Sequence, residues 1–216
     1  MSYTYDQHGK IIAMTDQRGA VTTMTYDAFA RPETITDAVG KILTYEYDDD
    51  NLITKQTITT AEGKMLRIAN TYDDDHRLIQ TTNHMGQTFS YVYNGLGQIT
   101  QMTDAEGNTT EYEYDYWGNV TQVTQHDGSQ AIVTTKTYDR HSNLISLTDD
   151  NGNITTWTYD DYDRLIQQAL PDGAITTYTY DADSNIISST DPNGSTVAYT
   201  YDDMHRITQK DIDLGP

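Results

Sequence analysis

A two-residue signature, tyrosine followed by aspartate, recurs along the entire chain. It stands at Tyr5, Tyr26, Tyr47, Tyr72, Tyr93, Tyr114, Tyr138, Tyr159, Tyr180 and Tyr201, with Asn94 replacing the aspartate once. Seven of the nine intervals are 21 residues, and the other two are 25 and 24. A glycine lies fourteen residues after the tyrosine at Gly19, Gly40, Gly86, Gly107, Gly128, Gly152, Gly173, Gly194 and Gly215, and only Gly63 is late, by two. A period near 21 that fills a sequence predicts a repeat architecture, in which each unit is one small supersecondary element completed by its neighbours. Such a chain is a wall or a surface, and the search for function becomes a search for faces and edges.

Within a unit the pattern is that of strands. Between Tyr93 and Tyr114, Gln98 to Thr103 alternates in strand-forming residues, and Asn108 to Tyr114 alternates again. Thr110, Tyr112 and Tyr114 share one face; Thr109, Glu111 and Glu113 share the other. Asn94-Gly95-Leu96-Gly97 and Asp104-Ala105-Glu106-Gly107 are turns, and both turns of a unit tend toward Asp-x-x-Gly. Asp suits the first position of a type I turn, and Gly the position where φ is positive. Each unit is therefore two short strands and two turns, an antiparallel all-β meander of about 20 strands. The glycine slot of the first turn is held by Gly9, Ala30, Asn51, His76, Gly97, Gly118, Ser142, Asp163, Ser184 and His205, and several of these types tolerate positive φ. Two residues further on, each unit places Ile, Leu or Val except at Pro32, where a local distortion is expected.

Composition limits what can pack. The chain is 36% hydrophobic and holds 18 Tyr against 2 Phe, so a large apolar core is excluded and a thin, half-buried sheet is expected. Tyr45, Tyr91, Tyr112, Trp157, Tyr178 and Tyr199 stand two residues before a signature tyrosine, on the same face. Stacked units would align them into an aromatic ladder that could glue the sheet or bind sugar rings. Tyr26-Asp27, Tyr47-Asp48, Tyr114-Asp115, Tyr159-Asp160 and Tyr180-Asp181, with Gly107, Gly128, Gly152, Gly173 and Gly194, form the expected structural framework.

The net charge of −20 disfavours nucleic acid and anionic lipid, both of which need a basic footprint. There is no cysteine, hence no disulfide or thiol chemistry, and no apolar run of about 18 residues that would span a membrane. No signal peptide is recognisable. The first and last residues, both in repeat register, read as cuts through a longer array. Residues 1–216 are expected to be one array.

The two lengthened units test the scheme. Between Tyr47 and Tyr72 two residues are added on each side of Gly63, which lengthens a hairpin without changing its faces. Between Gly128 and Tyr138 three are added, an odd number, which predicts a bulge or irregular loop within Ser129–Lys136.

The unit Tyr114-Asp115-Tyr116-Trp117-Gly118-Asn119-Val120, followed by Thr124-Gln125-His126-Asp127-Gly128, resembles the YD repeat of the Rhs family over essentially the whole chain. The departures are Asn94, the varied first-turn glycine slot and the two lengthened units. The resemblance implies a spiral or solenoid-like antiparallel sheet. It also implies a place in secreted or surface-delivered bacterial shells that enclose and deliver a C-terminal toxin, or in cell-surface adhesion proteins. Implied partners are the rest of such a shell, a second copy through the sheet edges, an enclosed toxin domain or glycans.

Candidate chemistry is sparse. Asp191-Pro192-Asn193-Gly194 resembles a self-cleavage element of that family, but it falls in the second-turn register, where Pro suits the second position. The runs Asp48-Asp49-Asp50, Asp73-Asp74-Asp75 and Asp149-Asp150 lack the glycine and late glutamate of a calcium loop. His76, His141 and His205 fall in turns, and no metalloprotease, phosphate-loop or nucleophile-elbow motif is present. No catalytic residue, no metal site and no cofactor is expected.

Overall fold

In the computed structural model, residues 1–215 are described, and they are all-β: twenty short strands and no helix among the described residues. The chain divides into two compact units, Met1–Thr109 and Thr110–Pro216. The first holds β1 (Ser2–Tyr5), β2 (Ile11–Thr15), β3 (Val21–Tyr26), β4 (Pro32–Thr36), β5 (Ile42–Tyr47), β6 (Ile53–Thr59), β7 (Met65–Tyr72), β8 (Leu78–Thr82), β9 (Thr88–Tyr93) and β10 (Ile99–Thr103). The second holds β11 (Thr109–Tyr114, its first residue at the division), β12 (Val120–Asp127), β13 (Gln130–Tyr138), β14 (Leu144–Thr148), β15 (Ile154–Tyr159), β16 (Leu165–Ala169), β17 (Ile175–Tyr180), β18 (Ile186–Thr190), β19 (Thr196–Tyr201) and β20 (Ile207–Asp213). In the first unit each strand from β1 to β10 pairs antiparallel with the next. In the second the same holds from β12 to β20.

The turns explain why strands begin and end where they do. In the first turn of the opening repeat, Gly9 N donates to Asp6 O at 3.1 Å and Asp6 N donates to Lys10 O at 2.9 Å. In the second turn, Gly19 N donates to Asp16 O at 3.2 Å and Asp16 N to Ala20 O at 3.0 Å. Both are type I turns closed by a residue in the left-handed region, a common hairpin connection. All ten first-turn slots have positive φ, including Ala30 at 63°, Ser142 at 68° and Ser184 at 68°. The second-turn framework glycines Gly107, Gly152, Gly173 and Gly194 lie at 90°, 80°, 85° and 82°.

A bulge follows the first turn in the β1–β2, β3–β4, β5–β6, β7–β8, β9–β10, β13–β14, β15–β16, β17–β18 and β19–β20 hairpins. Tyr26 faces Pro32 and Thr25 faces Thr34, so Glu33 is the extra residue; Tyr159 faces Leu165 and Thr158 faces Gln167 in the same way. Pro32 keeps this register, and Asp27 N still reaches Arg31 O at 2.9 Å. The expected distortion is absent because Pro32 is the first residue of β4, where a missing N–H is tolerated.

Both lengthened units keep their faces. In β6–β7, Thr57 faces Arg67, and two further pairs, Ile58–Leu66 and Thr59–Met65, precede a turn with Gly63 at φ 81°. This is the expected two-residue extension of each arm. In β12–β13 the expectation of a bulge within Ser129–Lys136 is wrong. Thr124 faces Val133, then Gln125–Ile132, His126–Ala131 and Asp127–Gln130 pair without a break, leaving Gly128-Ser129 as a two-residue loop. Each arm gains three residues while the loop loses three, because the corresponding loop after Thr148 has five residues before Ile154. The net addition is odd and the faces are conserved. Gly128, at φ 59°, takes the first loop position, where a tight two-residue hairpin wants glycine.

Among the described residues no side chain is fully buried, polar or apolar. Within each unit the fold is a single layer. One face carries the tyrosines; the other is rich in threonine, with cross-strand pairs such as Thr25–Thr34 and Thr177–Thr190.

Candidate functional site

The signature aspartate is a turn cap. Asp160 Oδ1 accepts the backbone N–H of Tyr162 at 2.9 Å and of Arg164 at 3.0 Å. Asp27, Asp48, Asp115 and Asp181 do the same two and four residues on. The second oxygen takes the side chain four residues on: Arg31 Nε at 2.7 Å on Asp27, Asn119 Nδ2 at 2.9 Å on Asp115, and Arg164 Nε at 2.7 Å on Asp160. These bonds favour the ionised form. The Arg164 guanidinium holds Asp160 below the ordinary carboxylate range, and the Asn185 amide does so for Asp181. At Asn94 the polarity is exchanged: Asn94 Nδ2 donates to Gln98 Oε1 at 2.8 Å. The replaced aspartate is matched by a replaced partner.

The residue that caps one turn also reaches the next repeat. Arg31 Nη1 donates to Asp48 O at 3.1 Å, and its guanidinium lies 4.4 Å from the Tyr47 ring centroid. Arg164 repeats this with Asp181 O at 2.9 Å and Tyr180 at 4.7 Å. Cation–π contacts of this kind contribute about 0.5–1 kcal/mol at exposed sites. Where asparagine replaces arginine, the contact passes to turn side chains: Asn119 to Ser142 at 3.1 Å, and Asn143 to Asp163 at 2.8 Å.

The signature tyrosine makes the second link. Its hydroxyl donates to the carbonyl of the residue that opens the bulge in the preceding repeat. Tyr26 reaches Ile11 O at 2.8 Å, Tyr47 reaches Pro32 O at 2.8 Å, Tyr159 reaches Leu144 O at 3.1 Å and Tyr180 reaches Leu165 O at 2.7 Å. Tyr72, Tyr93, Tyr138 and Tyr201 follow suit. A bulge disrupts the ladder locally, and the phenol satisfies one of its carbonyls. Phenylalanine would fill the same space without this bond. Partial burial raises the phenol pKa of Tyr47, Tyr93, Tyr114, Tyr159 and Tyr180 above 10.0.

The ladder residues all sit half-buried on the tyrosine face. Tyr45 stands opposite Gln56, Tyr91 opposite Met102, Trp157 opposite Gln168, Tyr178 opposite Ser189 and Tyr199 opposite Lys210, while Tyr112 lies in β11. The tyrosine–tyrosine ring contacts given by the structure run along one strand, as between Tyr45 and Tyr47 at 6.3 Å. Alternation along the strand placed these side chains on one face. The residue four after the aspartate, which ties turn to turn, escaped sequence reading, although its Arg-or-Asn pattern was the available signal.

The acidic runs do not assemble into a cation site. Among the described residues no three His, Asp or Glu side chains are grouped to hold a metal, and Asp48 and Asp73 already cap their own turns. No helix is long and apolar enough to cross a membrane.

The RHS Repeat family model matches residues 5–42, 72–109, 93–130, 138–175, 159–189 and 180–213. No curated protein matches the chain. Among solved structures, the TcdB2-TccC3-TEV crystal structure aligns with 95% of this chain at 17% identity and a TM-score of 0.54. TcdB2-TccC3-Cdc42 aligns over 95% at 17% identity and 0.55. The Photorhabdus luminescens Tc holotoxin pore carrying TccC3-D651A aligns over 96% at 17% identity and 0.55. These likenesses concern the fold, and this chain spans only 13% of each of those chains. With the family model covering most of its length and its hairpins built on the Tyr-Asp turn, the chain belongs to the RHS repeat family.

Proposed function

We propose that this chain is a structural segment of an Rhs-type shell that encloses a C-terminal toxin and delivers it in bacterial competition or virulence. The observation that carries this reading is the single layer. A sheet in which no described side chain is fully buried, with a row of half-buried aromatics on one face, gains stability when something covers that face. The matched solved structures hold TccC3 together with TcdB2, or belong to a Tc holotoxin pore. In this reading the segment supplies wall and no catalysis, needs no cofactor, and acts outside the cell that makes it. Its partners are adjoining wall strands and the enclosed domain. The outer edges of β1 and β20, which have no strand partner among the described residues, are where adjoining wall would pair.

The test is to sequence the coding DNA on both sides, express the complete reading frame, and probe it with protease. Further YD repeats, followed by an unrelated C-terminal domain that resists digestion until the wall is opened, are expected. A frame with too few repeats to enclose a domain, or a C-terminal domain digested at the free rate, refutes the shell. A cell-surface glycan-binding solenoid is the second reading, favoured by the half-exposed ladder rings. It expects Tyr112→Ala to weaken retention on cell-wall polysaccharide while the fold persists.

A further inference from the structure

The lengthened hairpin β6–β7 leaves a step in the first unit. β8 ends at Thr82, opposite Ala69, while β7 begins at Met65, so residues 65–68 run past the end of β8. In a regular hairpin such as β3–β4 only Val21 and Thr22 precede the last pair, Thr23–Thr36. Alternation puts Met65, Arg67 and Ala69 on one face of β7. With Thr82, Asn83 and His84 they line an open cleft of about 480 Å³, a size in the range of ligand sites.

The charge of the edge reverses at this step. The other second turns of the first unit are capped by Asp16, Asp37 and Asp104, whereas the two turns beside the cleft are capped by Thr60 and Asn83. Across residues 60–69 and 82–87, Lys64 and Arg67 outnumber the one carboxylate, Glu62, which is hydrogen-bonded to the Thr60 side chain. Arg31, Arg77, Arg164 and Arg206 are each held by an aspartate. Arg67 is exposed and has no hydrogen-bond or ion-pair partner among the described residues. Met65, next to it on the same face, is 62% exposed. A chain of net charge −20 repels an acidic partner over most of its surface, so a local reversal decides where such a partner can sit.

We propose that this step is a docking cleft for an extended segment of another protein in which a carboxylate stands between two apolar side chains at alternate positions. Residues two apart on an extended chain share a face and are separated by about 6.8 Å, the spacing that Met65, Arg67 and Ala69 also have. The carboxylate accepts two N–H donors of the Arg67 guanidinium, a pairing that its planar fork favours. The flanking apolar side chains cover Met65 and Ala69. The cleft belongs to the lengthened unit alone, and its role holds whether or not the segment is shell wall.

The experiment titrates the isotope-labelled whole chain with the peptide Leu-Ser-Glu-Ser-Leu and follows backbone amide shifts by two-dimensional NMR. Leu-Ser-Lys-Ser-Leu and Ser-Ser-Glu-Ser-Ser are the charge and apolar controls. Saturable shifts confined to residues 65–69 and 82–86 are expected, weakened by added salt. Arg67→Gln should bind about tenfold more weakly, as for loss of a hydrogen bond to a charged group. Arg18→Gln, an exposed arginine of another second turn, should bind as wild type. Far-UV circular dichroism checks that both variants are folded. Absence of saturable shifts at the cleft, equal binding of either control peptide, or full binding by the folded Arg67→Gln variant overturns the proposal.

Discussion

Tyr180→Phe isolates the link between repeats. The substitution leaves the ring and removes the donor to Leu165 O, a bond of 2.7 Å. The acceptor is the carbonyl that opens a bulge, facing Tyr159 in the β15–β16 hairpin. A buried carbonyl deprived of its partner costs about 1–3 kcal/mol, but this one is only partly buried and water can replace some of the loss. The cost is therefore about 1 kcal/mol, or about 2–4 °C in melting temperature for a chain of this size. Tyr178→Phe is the internal control. It removes a hydroxyl from the same strand and face, and that hydroxyl has no partner among the described residues, so its cost should stay within about 0.5 kcal/mol. Thermal and urea unfolding by circular dichroism measure both. The pH dependence supplies a second readout. Partial burial raises the Tyr180 pKa above 10.0, so the neutral phenol is favoured in the folded state. The stability tied to that shift is complete below pH 10 and is lost as the pH rises through the folded pKa. Tyr180→Phe should flatten part of this alkaline loss. Equal stabilities for Tyr180→Phe and wild type, or equal losses in the two variants, would refute the role given to the hydroxyl.

Three further expectations concern the turns. Ala30 holds φ at 63°, a conformation that costs an L-residue about 1–2 kcal/mol, so Ala30→Gly should raise the melting temperature despite the added freedom of the unfolded chain. Replacing residues 125–132 by the five-residue sequence of residues 149–153 should leave the register of β12 and β13 intact, read by unchanged far-UV circular dichroism and cooperative melting; a collapse of cooperativity would show that the three-pair extension is required. Asp160→Asn sets an amide donor against Arg164 Nε and should lower stability, whereas Asn94→Asp should be near neutral because the Gln98 amide can turn to donate. Asp160 is ionised more easily when folded, because of the Arg164 bond first and the backbone N–H groups after it. Its contribution is thus present above the ordinary carboxylate pKa of 3.8 and lost as the pH falls through the lower folded value, and Asp160→Asn should flatten that acid loss.

Most of the fold was legible because its rules are local. Alternation placed the strands, and Asp-x-x-Gly placed the turns. The varied first-turn slot was readable as a demand for positive φ, which Ala30 and Ser142 meet at some strain. Parity misled at the odd insertion. Counting residues assumes a constant loop, and β12–β13 changed the loop from five residues to two while extending both arms. Pro32 misled because proline interrupts the Ile, Leu or Val of its slot, yet it opens β4, where a missing N–H is tolerated. The repeat-to-repeat bonds were beyond local reading. Nothing in the strand alternation says that the Tyr26 hydroxyl ends at a carbonyl fifteen residues back, or that Arg31 serves two turns.

The tyrosine hydroxyl bonds share one direction. Each runs from a later residue to a carbonyl already present upstream, from Tyr26 to Ile11 through to Tyr201 and Ile186. A chain leaves the ribosome amino end first, at about 5–20 residues per second. A hairpin emerging in that order meets, at the moment its tyrosine appears, everything that this bond requires. Growth can then proceed as accretion, one hairpin settling on the last, with no wait for sequence still to be made. The same polarity makes the leading repeat the template and every later one an addition, so that length becomes a matter of how many units the message encodes.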